Sequence, residues 1–419
     1  MHRIFGGADI LLPENTDMKK WAVVACDQYT GEPEYWHRVS EKVADSDSTL
    51  KLILPEVYLE DGDSDKRIDA IHDSMKDMLA RNIFREYKDA LIYVERTQSD
   101  GMVRRGIVGA LDLEEYDYRK GSGSLIRATE ATVVDRIPPR LRVRENAPIE
   151  LPHVMVLIDD AENTVIEPCE KIKDRCEPIY STRLMEGGGR ISGYLLDEDL
   201  KDGVYAAIDK LSDNDSFNKR YFIKDYPTLL FAVGDGNHSL ATAKEFYEKL
   251  KAANPGKDLS QHPARYALVE VVNLHSPALR FEAINRIVKG VDPEKLMEKA
   301  KEKLGLSNEL SSQRFIAVIN GREWLWYIHE QSSQLAVGSL QDLLDEYVKE
   351  FGGRIDYIHG ADVVRQLSHK KDCIGFILPN MKKSELFPTV IKDGALPRKT
   401  FSMGHAADKR FYMECRRIM

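Results

Sequence analysis

The sequence predicts a mixed α/β (α+β) protein with two domains. Its 419 residues exceed what one core usually holds, at a prior of roughly 150 residues per domain. Up to about residue 290, short apolar strands and helices follow each other without a regular order, whereas beyond it they alternate. We therefore predict an N-terminal α+β domain over residues 1–290. A smaller C-terminal α/β domain is predicted over 291–419, and its last strand is able to return to the first domain.

The elements of the first domain follow from hydrophobic periodicity. The apolar run 21–26 (WAVVAC) predicts a buried strand that ends in a polar loop at Asp27. Apolar residues at helical spacing predict an amphipathic helix over 68–79, and a second helix is predicted over 197–211. The remaining predicted elements are a hairpin of 91–95 with 104–113 and strands at 154–158 and 228–233.

The second domain is predicted to begin with a helix. Asp292 and Pro293 resemble a helix start, and the charged pattern continues to about Gly305. The elements predicted after it are strands 314–319, 324–328, 355–358 and 373–378 and helices 340–351, 361–368 and 382–391. Residues 410–418 alternate in the manner of a strand.

Composition excludes several classes of protein. The net charge of −9 argues against a general nucleic-acid binder, which usually carries a basic face. No apolar run approaches the roughly 18 residues of a membrane span, and no secretory signal precedes the first strand. Five cysteines without a C-x-x-C pair suggest neither a disulfide framework nor a zinc site. We expect a cytoplasmic protein with a small-molecule substrate, no nucleic-acid or membrane partner, and an oligomeric state that stays open.

The strongest local signal is residues 227–244 (PTLLFAVGDGNHSLATAK). An apolar strand runs into a turn and a helix begins at about Leu240. Asn237 or Ser239 is able to cap this helix, whose first amides would face an anion. A tight turn with ordinary capping is the simpler interpretation, but the turn supplies more ionisable groups than a cap requires. We predict a phosphate or carboxylate site from the turn residues Gly234, Asp235, Gly236, Asn237, His238 and Ser239.

Two further segments are rich in cations. Five arginines lie in residues 126–144, namely Arg127, Arg136, Arg140, Arg142 and Arg144. They form either a positive patch for phosphate oxygens or a solvated, salt-bridged surface. Glu130 among them could remain ionised and act as a general base. Lys399 and Thr400 could clamp another phosphate or simply line a loop. Glu130, Asp235 and His238 could also bind a divalent cation; the metal ligands stay unknown, since a Mg²⁺ ion held partly by phosphates leaves little sequence trace.

Three blocks together resemble the domain-of-unknown-function 1015 family, and the resemblance covers essentially the whole chain. The blocks are residues 21–36 (WAVVACDQYTGEPEYW), 234–244 (GDGNHSLATAK) and 396–418 (LPRKTFSMGHAADKRFYMECRRI). Other branches of the family carry an Arg-His-Glu block followed by Asp-Arg, an Asp-Gly-His-His-Arg block, a His-Arg pair and a Pro-x-Lys-Ser/Thr block. The matching positions here are Arg127 to Glu130 with Asp135 and Arg136, Asp235 to Ser239, Asn285 with Arg286, and Pro397 to Thr400.

The Asp-Gly-His-His-Arg block is in turn similar to the phosphate-binding motif of the ParB/sulfiredoxin-like fold, which includes kinases of free L-serine. The resemblance implies such an element in the first domain, with ATP or ADP and Mg²⁺. It implies that Glu130 is an acid/base or substrate-amine contact and that Arg127, Asp235, Gly236 and His238 surround the phosphates. The motif's arginine is Ser239 here, and its first histidine is Asn237. Arg136, Arg140 or Lys399 would have to replace the missing charge.

The leading hypothesis is a small-molecule phosphotransferase that acts on an amino acid such as serine or a similar hydroxyl compound. The alternatives are a non-catalytic binder of a nucleotide or phosphometabolite and a metal-dependent phosphoester hydrolase. The predicted catalytic residues are Glu130, Asp235 and His238. The predicted phosphate- or substrate-binding residues are Arg127, Arg136, Gly234, Gly236, Asn237, Ser239, Arg286, Lys399 and Thr400.

Overall fold

The computed structural model describes residues 3–59, 62–130, 132, 137–151 and 153–419. The chain forms two compact units, the first of Met1–Leu279 with His405–Met419 and the second of Arg280–Gly404. The strand Phe281–Lys289 pairs with strands of the second unit. The boundary between the units therefore lies about ten residues before the predicted boundary at 290. The predicted boundary was set by the start of a helix, and the strand before that helix was not recognised as part of the second unit.

The first unit contains most of the chain's strands. Those that precede the second unit are β1 (Phe5–Gly6), β2 (Ala8–Pro13), β3 (Phe84–Ala90), β4 (Ile92–Thr97), β5 (Val103–Asp112), β6 (Tyr116–Asp117), β7 (Ile126–Ala128), β8 (Ile149–Glu150), β9 (Met155–Ile158), β10 (Tyr180–Arg183), β11 (Arg190–Leu195), β12 (Phe231–Asp235) and β13 (Tyr266–Asn273). Its α-helices are α1 (Met18–Trp21), α2 (Pro33–Val43), α3 (Ser64–Ala80), α4 (Ile137–Arg144), α5 (Glu198–Leu211), α6 (Asn214–Arg220) and α7 (Asn237–Ala253).

The second unit is built on one sheet. Its strands are β14 (Phe281–Lys289), β15 (Gln313–Ile319), β16 (Arg322–Ile328), β17 (Arg354–His359), β18 (Cys373–Ile377) and β19 (Phe401–Met403). Its helices are α8 (Pro293–Leu304), α9 (Ala336–Phe351), α10 (Ala361–Leu367) and α11 (Lys383–Asp393). The sheet has the order β16-β15-β18-β14-β17, and β19 also pairs with β14. The last strand of the chain, β20 (Cys415–Arg417), belongs to the first unit.

The main sheet of the first unit is mixed and has the order β10-β11-β4-β5-β13-β9-β12-β7-β6. Strand β12 runs parallel to β7 and antiparallel to β9. The carboxyl ends of β7 and β12 and the amino end of β9 therefore meet at one edge of the sheet. Helix α7 follows β12 directly and buries Leu240, Ala243 and Phe246 in the main core. A smaller sheet has the order β3-β2-β20-β8.

The predicted mixed α/β class is confirmed, as are most of the predicted elements. Helix α3 and the β4–β5 hairpin lie where the periodicity placed them. Helix α8 begins after Asp292, whose carboxylate accepts from two backbone amides, and ends at Gly305 in the left-handed conformation. Among the described residues, no helix has the length and apolarity needed to cross a membrane.

The strand predicted over residues 21–26 is wrong. Trp21 ends helix α1, and Val24 forms an isolated bridge with Phe411. Both side chains are fully buried. The apolar run reflects burial among neighbouring segments, and an apolar run of this length does not distinguish burial from strand pairing.

A buried ion network crosses the first unit and ties its last residues to the main sheet. Glu270 on β13 pairs with Arg104 at 3.2 Å and with Arg410 at 2.6 Å, and Arg410 also pairs with Glu414 at 2.5 Å. The four side chains are at most 2% exposed. Burial acts to raise the pKa of Glu270, but the two guanidinium groups outweigh it and hold that pKa below its ordinary value of 4.5.

The network predicts a loss of stability in acid. The unfolded state has the higher pKa at Glu270, so the stability from this carboxylate is complete above pH 4.5 and is lost as pH falls through its folded-state pKa. The pKa of Glu150 is also below its ordinary value. Burial acts to raise it, but the charges of Arg416 and Arg144 outweigh burial. We expect the melting temperature to fall steeply below about pH 4.5. A melting temperature that is flat from pH 6 to pH 3 would contradict this account.

Candidate functional site

The candidate site lies where two parallel strands of the first unit end. Ala128 on β7 is paired with Val233 on β12. Glu130 and Asp235 each follow this pair by two residues, so the register brings both acidic residues to the same edge of the sheet. Polar residues at the carboxyl ends of parallel strands are a common position for ligand-binding groups.

Helix α7 begins at this edge with a glycine. Gly236 is its N-cap, has a φ of +78° and has no side chain with which to cap the helix. The first intrahelical bond is from the Leu240 amide to the Gly236 carbonyl, at 3.0 Å. The amides of Asn237, His238 and Ser239 therefore precede the helical ladder and face the strand ends. Such amides, with the helix dipole, favour an anion.

The expected capping by Asn237 or Ser239 is wrong, and the helix begins three residues earlier than predicted. The Asn237 carbonyl Oδ1 accepts from the Thr129 amide at 3.2 Å. The Thr129 hydroxyl donates to the Val233 carbonyl at 2.6 Å. Asn237 thus joins the first turn of α7 to the segment after β7, which positions the neighbouring Glu130 beside the turn.

Replacing Gly236 with alanine tests this tight turn. The new Cβ would lie 3.0 Å from Val154 Cα and 3.1 Å from Val154 Cγ2, immediately before β9. Gly256 has a φ of +81° but nothing within 4 Å, so Gly256→Ala is the matched control for the cost of a positive φ. We expect Gly236→Ala to lower the free energy of unfolding by about 1–3 kcal/mol more than Gly256→Ala. Equal losses in chemical denaturation would show that the turn is not tightly packed.

A lysine brings a cation to this site. Lys409 Nζ lies 3.2 Å from Asp235 Oδ2, and both side chains are largely buried. Lys409 lies in the third sequence block but is not among the predicted site residues. It brings positive charge to the turn in which Ser239 stands where the motif has an arginine.

His153, just before β9, connects the turn to Asp27. His153 Nε2 lies 3.4 Å from Ser239 Oγ and 3.7 Å from Asp27 Oδ1, and its Nδ1 lies 2.8 Å from the Tyr412 hydroxyl. A Ser-His-Asp triad requires serine and carboxylate on opposite ring nitrogens. Here both face Nε2, so these three residues do not form a triad that would activate Ser239 as a nucleophile.

The electrostatics of the cluster keep Asp27 ionised. Burial acts to raise the pKa of Asp27, but the charge of His153, the Gln28 amide and Lys409 outweigh burial and lower it. Burial raises the pKa of Tyr412 well above its ordinary value, so its hydroxyl stays protonated. Burial, with the charges of Asp27 and Glu56, raises the pKa of Cys26 to about 12. The Cys26 thiol is therefore not a nucleophile at neutral pH.

The described arginines of residues 126–144 form ion pairs or bond to backbone, which favours the salt-bridged interpretation over the phosphate patch. Arg140 pairs with Glu56, Arg142 with Asp65 at 2.5 Å and Arg144 with Glu150 at 2.6 Å. Arg127 donates to the backbone carbonyls of Ser124 and Pro227, both at 2.7 Å. Burial lowers its pKa to about 10, so it remains a cation that fastens β7 to the segment before β12. Asp135 and Arg136 lie outside the described residues.

Three predicted phosphate-binding residues belong to the second unit. The Arg286 guanidinium is fully buried and donates to the carbonyls of Lys399 and Arg398, at 3.0 and 2.8 Å, and to Gln341 Oε1 at 3.1 Å. The Thr400 hydroxyl donates to the Pro397 carbonyl at 2.6 Å. Arg286 thus fixes the backbone of the loop that carries Lys399 and Thr400.

The first unit therefore assembles one polar cluster around the start of α7. Of the predicted residues it contains Glu130, Gly234, Asp235, Gly236, Asn237, His238 and Ser239. The residues that the prediction missed are Asp27, His153, Lys409 and Tyr412. Three of them, Asp27, Lys409 and Tyr412, lie in the quoted sequence blocks, and this position could have identified them. No sequence motif surrounds His153. Within the described residues, no group of three or more His, Cys, Asp and Glu side chains is arranged to hold a metal ion.

The family comparison includes the first two sequence blocks, whereas the third block, residues 396–418, lies outside the matched region. The family model "Protein of unknown function (DUF1015)" matches residues 10–347. A search of curated proteins found no match.

Three solved structures that are similar to this chain represent different proteins. A free serine kinase in complex with AMP has a TM-score of 0.37 and 12% identity, over 73% of this chain and 90% of the kinase. A conserved hypothetical protein from Pyrococcus furiosus has a TM-score of 0.34 and 11% identity, over 73% and 90%. SbnI with a C-terminal truncation, from Staphylococcus aureus, has a TM-score of 0.36 and 10% identity, over 71% and 83%. On the family match, which spans most of its length, the chain belongs to the DUF1015 family.

Proposed function

We propose that this protein is a nucleotide-dependent phosphotransferase that phosphorylates a small hydroxyl compound. The observation that carries the proposal is the glycine-capped start of α7, with its three leading amides, beside the buried Lys409. Phosphate oxygens are suitable acceptors for such amides and for an ammonium group.

The residues at the strand ends suit phosphoryl transfer, which depends mainly on positioning and charge neutralisation. The amides of α7 and Lys409 would bind the phosphates, and ATP or ADP would supply the phosphoryl group. In the transfer, a bond forms between the acceptor oxygen and phosphorus while the bond from phosphorus to the donor oxygen breaks. The acceptor's hydroxyl proton passes to a carboxylate, for which Glu130 is our candidate. Asp235 would hold Lys409, and His238 would contact a phosphate.

Mg²⁺ fits this proposal as an ion bound jointly by phosphates and by one or two carboxylates. Asp235 and Glu130 are the carboxylates at the strand ends that suit this role. The described side chains do not include a ready-made metal site, so the ion would depend on the nucleotide for most of its ligands.

A non-catalytic nucleotide binder is the second candidate. The observation that favours it is that Asp235 already pairs with Lys409, which reduces the positive charge available to a transferring phosphoryl group. A phosphoester hydrolase is the third, and it would require a metal but no acceptor.

Phosphorus NMR separates these candidates. Purified protein is mixed with ATP or ADP, Mg²⁺ and a pool of hydroxyl compounds that includes L-serine. The proposal predicts a new phosphomonoester signal that disappears in Glu130→Gln and is reduced in His238→Ala. Nucleotide line broadening without turnover supports the binder. Inorganic phosphate that appears without any acceptor and stops on chelation supports the hydrolase.

A further inference from the structure

A cavity of about 150 Å³ lies in the first unit next to the start of α7. Most of its wall is aliphatic. The wall includes Leu54, Met75, Val143, Ile149, Ala243 and Leu268. Ser239, His153 and Tyr412, which contact one another, also line it, and we call these three residues its polar end. The cavity thus has an apolar body and a polar end that is part of the candidate site.

The volume and the lining select one class of ligand. A volume of about 150 Å³ is enough for a group of benzene's size. The side chain of serine has one carbon and one oxygen and would leave most of this volume empty. An empty apolar cavity loses dispersion contacts along its whole wall, so a ligand that fills it gains them.

The charged groups in the wall do not favour an amino acid. Glu56 pairs with Arg140, and Glu150 pairs with Arg144 at 2.6 Å. An ammonium or carboxylate group in the cavity would have to compete with these ion pairs, and it would lose its own hydration on entry. A neutral apolar group carries no such cost.

The polar end is placed to receive a hydroxyl group. The contact from Ser239 Oγ to His153 Nε2 is long, at 3.4 Å, whereas Tyr412 holds the other ring nitrogen at 2.8 Å. A ligand hydroxyl that lies beside these two atoms, within hydrogen-bond distance of both Ser239 Oγ and His153 Nε2, would add stronger hydrogen bonds than the long contact between them. Ser239 is also in the first turn of α7, where the proposed phosphate site begins.

We propose that this cavity binds the apolar group of the phosphoryl acceptor, and that the acceptor is an alcohol with a ring or branched alkyl group of about six carbons. Its hydroxyl would lie at Ser239 and His153, facing the amides of α7. The role as acceptor rests on the proposed phosphotransferase activity, whereas occupation of the cavity does not.

Fluorine NMR with 4-fluorobenzyl alcohol tests occupation without any nucleotide. We expect the fluorine line to broaden with the wild-type protein and to sharpen with Ala243→Leu, which fills part of the cavity. Ala252→Leu, on the exposed side of the same helix, is the matched control and should behave as wild type. Ser239→Ala keeps the volume and should weaken binding, so it guards against an Ala243→Leu chain that fails to fold. No broadening with wild type, or equal broadening with Ala243→Leu, would overturn the proposal.

A second measurement separates this proposal from the proposed function. Phosphorus NMR with nucleotide compares 4-fluorobenzyl alcohol with L-serine as acceptor. Phosphorylation of the alcohol, lost in Ala243→Leu and retained in Ala252→Leu, supports both. Phosphorylation of serine alone overturns the acceptor class and leaves the phosphotransferase standing. Cavity binding with no phosphorylation of any acceptor overturns the phosphotransferase, and with it the acceptor role, while occupation stands.

Discussion

Replacing Glu130 with glutamine is expected to lower the rate of phosphoryl transfer by about 10²–10⁴-fold and to leave nucleotide affinity unchanged. Glutamine keeps the shape of the side chain and its polarity but cannot accept the acceptor's proton. Glu130 lies two residues beyond Ala128 of β7, as Asp235, the last residue of β12, lies two residues beyond Val233, the partner of Ala128. The Thr129 amide, next to Glu130, bonds to Asn237 of α7. The measurement is the initial rate of phosphomonoester formation, together with a nucleotide titration by calorimetry.

The matched control is Glu162→Gln. Glu162 is an exposed carboxylate of the first unit whose nearest cation, Lys210, is 3.9 Å away. It should have the wild-type rate. An unchanged rate in Glu130→Gln would remove Glu130 from the mechanism, and loss of nucleotide binding in that variant would make it a binding residue instead of a base.

Replacing Glu270 with glutamine is expected to destabilise the first unit by about 3–5 kcal/mol. The change removes the charge that two buried guanidinium groups share, those of Arg104 and Arg410. Both cations would remain buried with less compensation, and this cost exceeds the small net gain of a surface ion pair. The measurement is the unfolding transition of the first unit in guanidinium chloride, with the m-value compared to confirm that the same surface is exposed.

Glu86→Gln is the matched control for Glu270→Gln. Glu86 pairs with Lys88 at 2.7 Å on the surface of the same unit, so its loss should cost less than about 1 kcal/mol. A loss of similar size in the two variants would mean that the buried network contributes no more than a surface pair.

Long, periodic elements were predictable because their signal is local. Helix α3 is indicated by the helical spacing of its apolar residues, and the β4–β5 hairpin by the turn between its strands. Each signal lies within one short segment. Residues 21–26 were mistaken for a strand because an apolar run reports burial and not its hydrogen-bonding partner. The domain boundary was placed too late because β14 gives no signal of which sheet it joins.

The site was predictable only in part, for a similar reason. The turn at Gly236 is visible in the sequence, since a strand, a glycine and a helix are consecutive. His153 meets Ser239 through the antiparallel pairing of β9 with β12, and Lys409 meets Asp235 although the two residues are far apart in the sequence. Such contacts have no local pattern. For the arginines of residues 126–144, the sequence left a phosphate patch and a salt-bridged surface both open, because partners such as Glu56 and Asp65 are distant in sequence.

The most direct test of the account is whether phosphate groups bind at the start of α7. Amide chemical shifts of isotopically labelled protein are recorded while ADP and Mg²⁺ are added. We predict that the largest shifts occur at Asn237, His238 and Ser239 and that Lys409→Met weakens them. Nucleotide binding with the largest shifts elsewhere, and none at these three amides, would contradict the account.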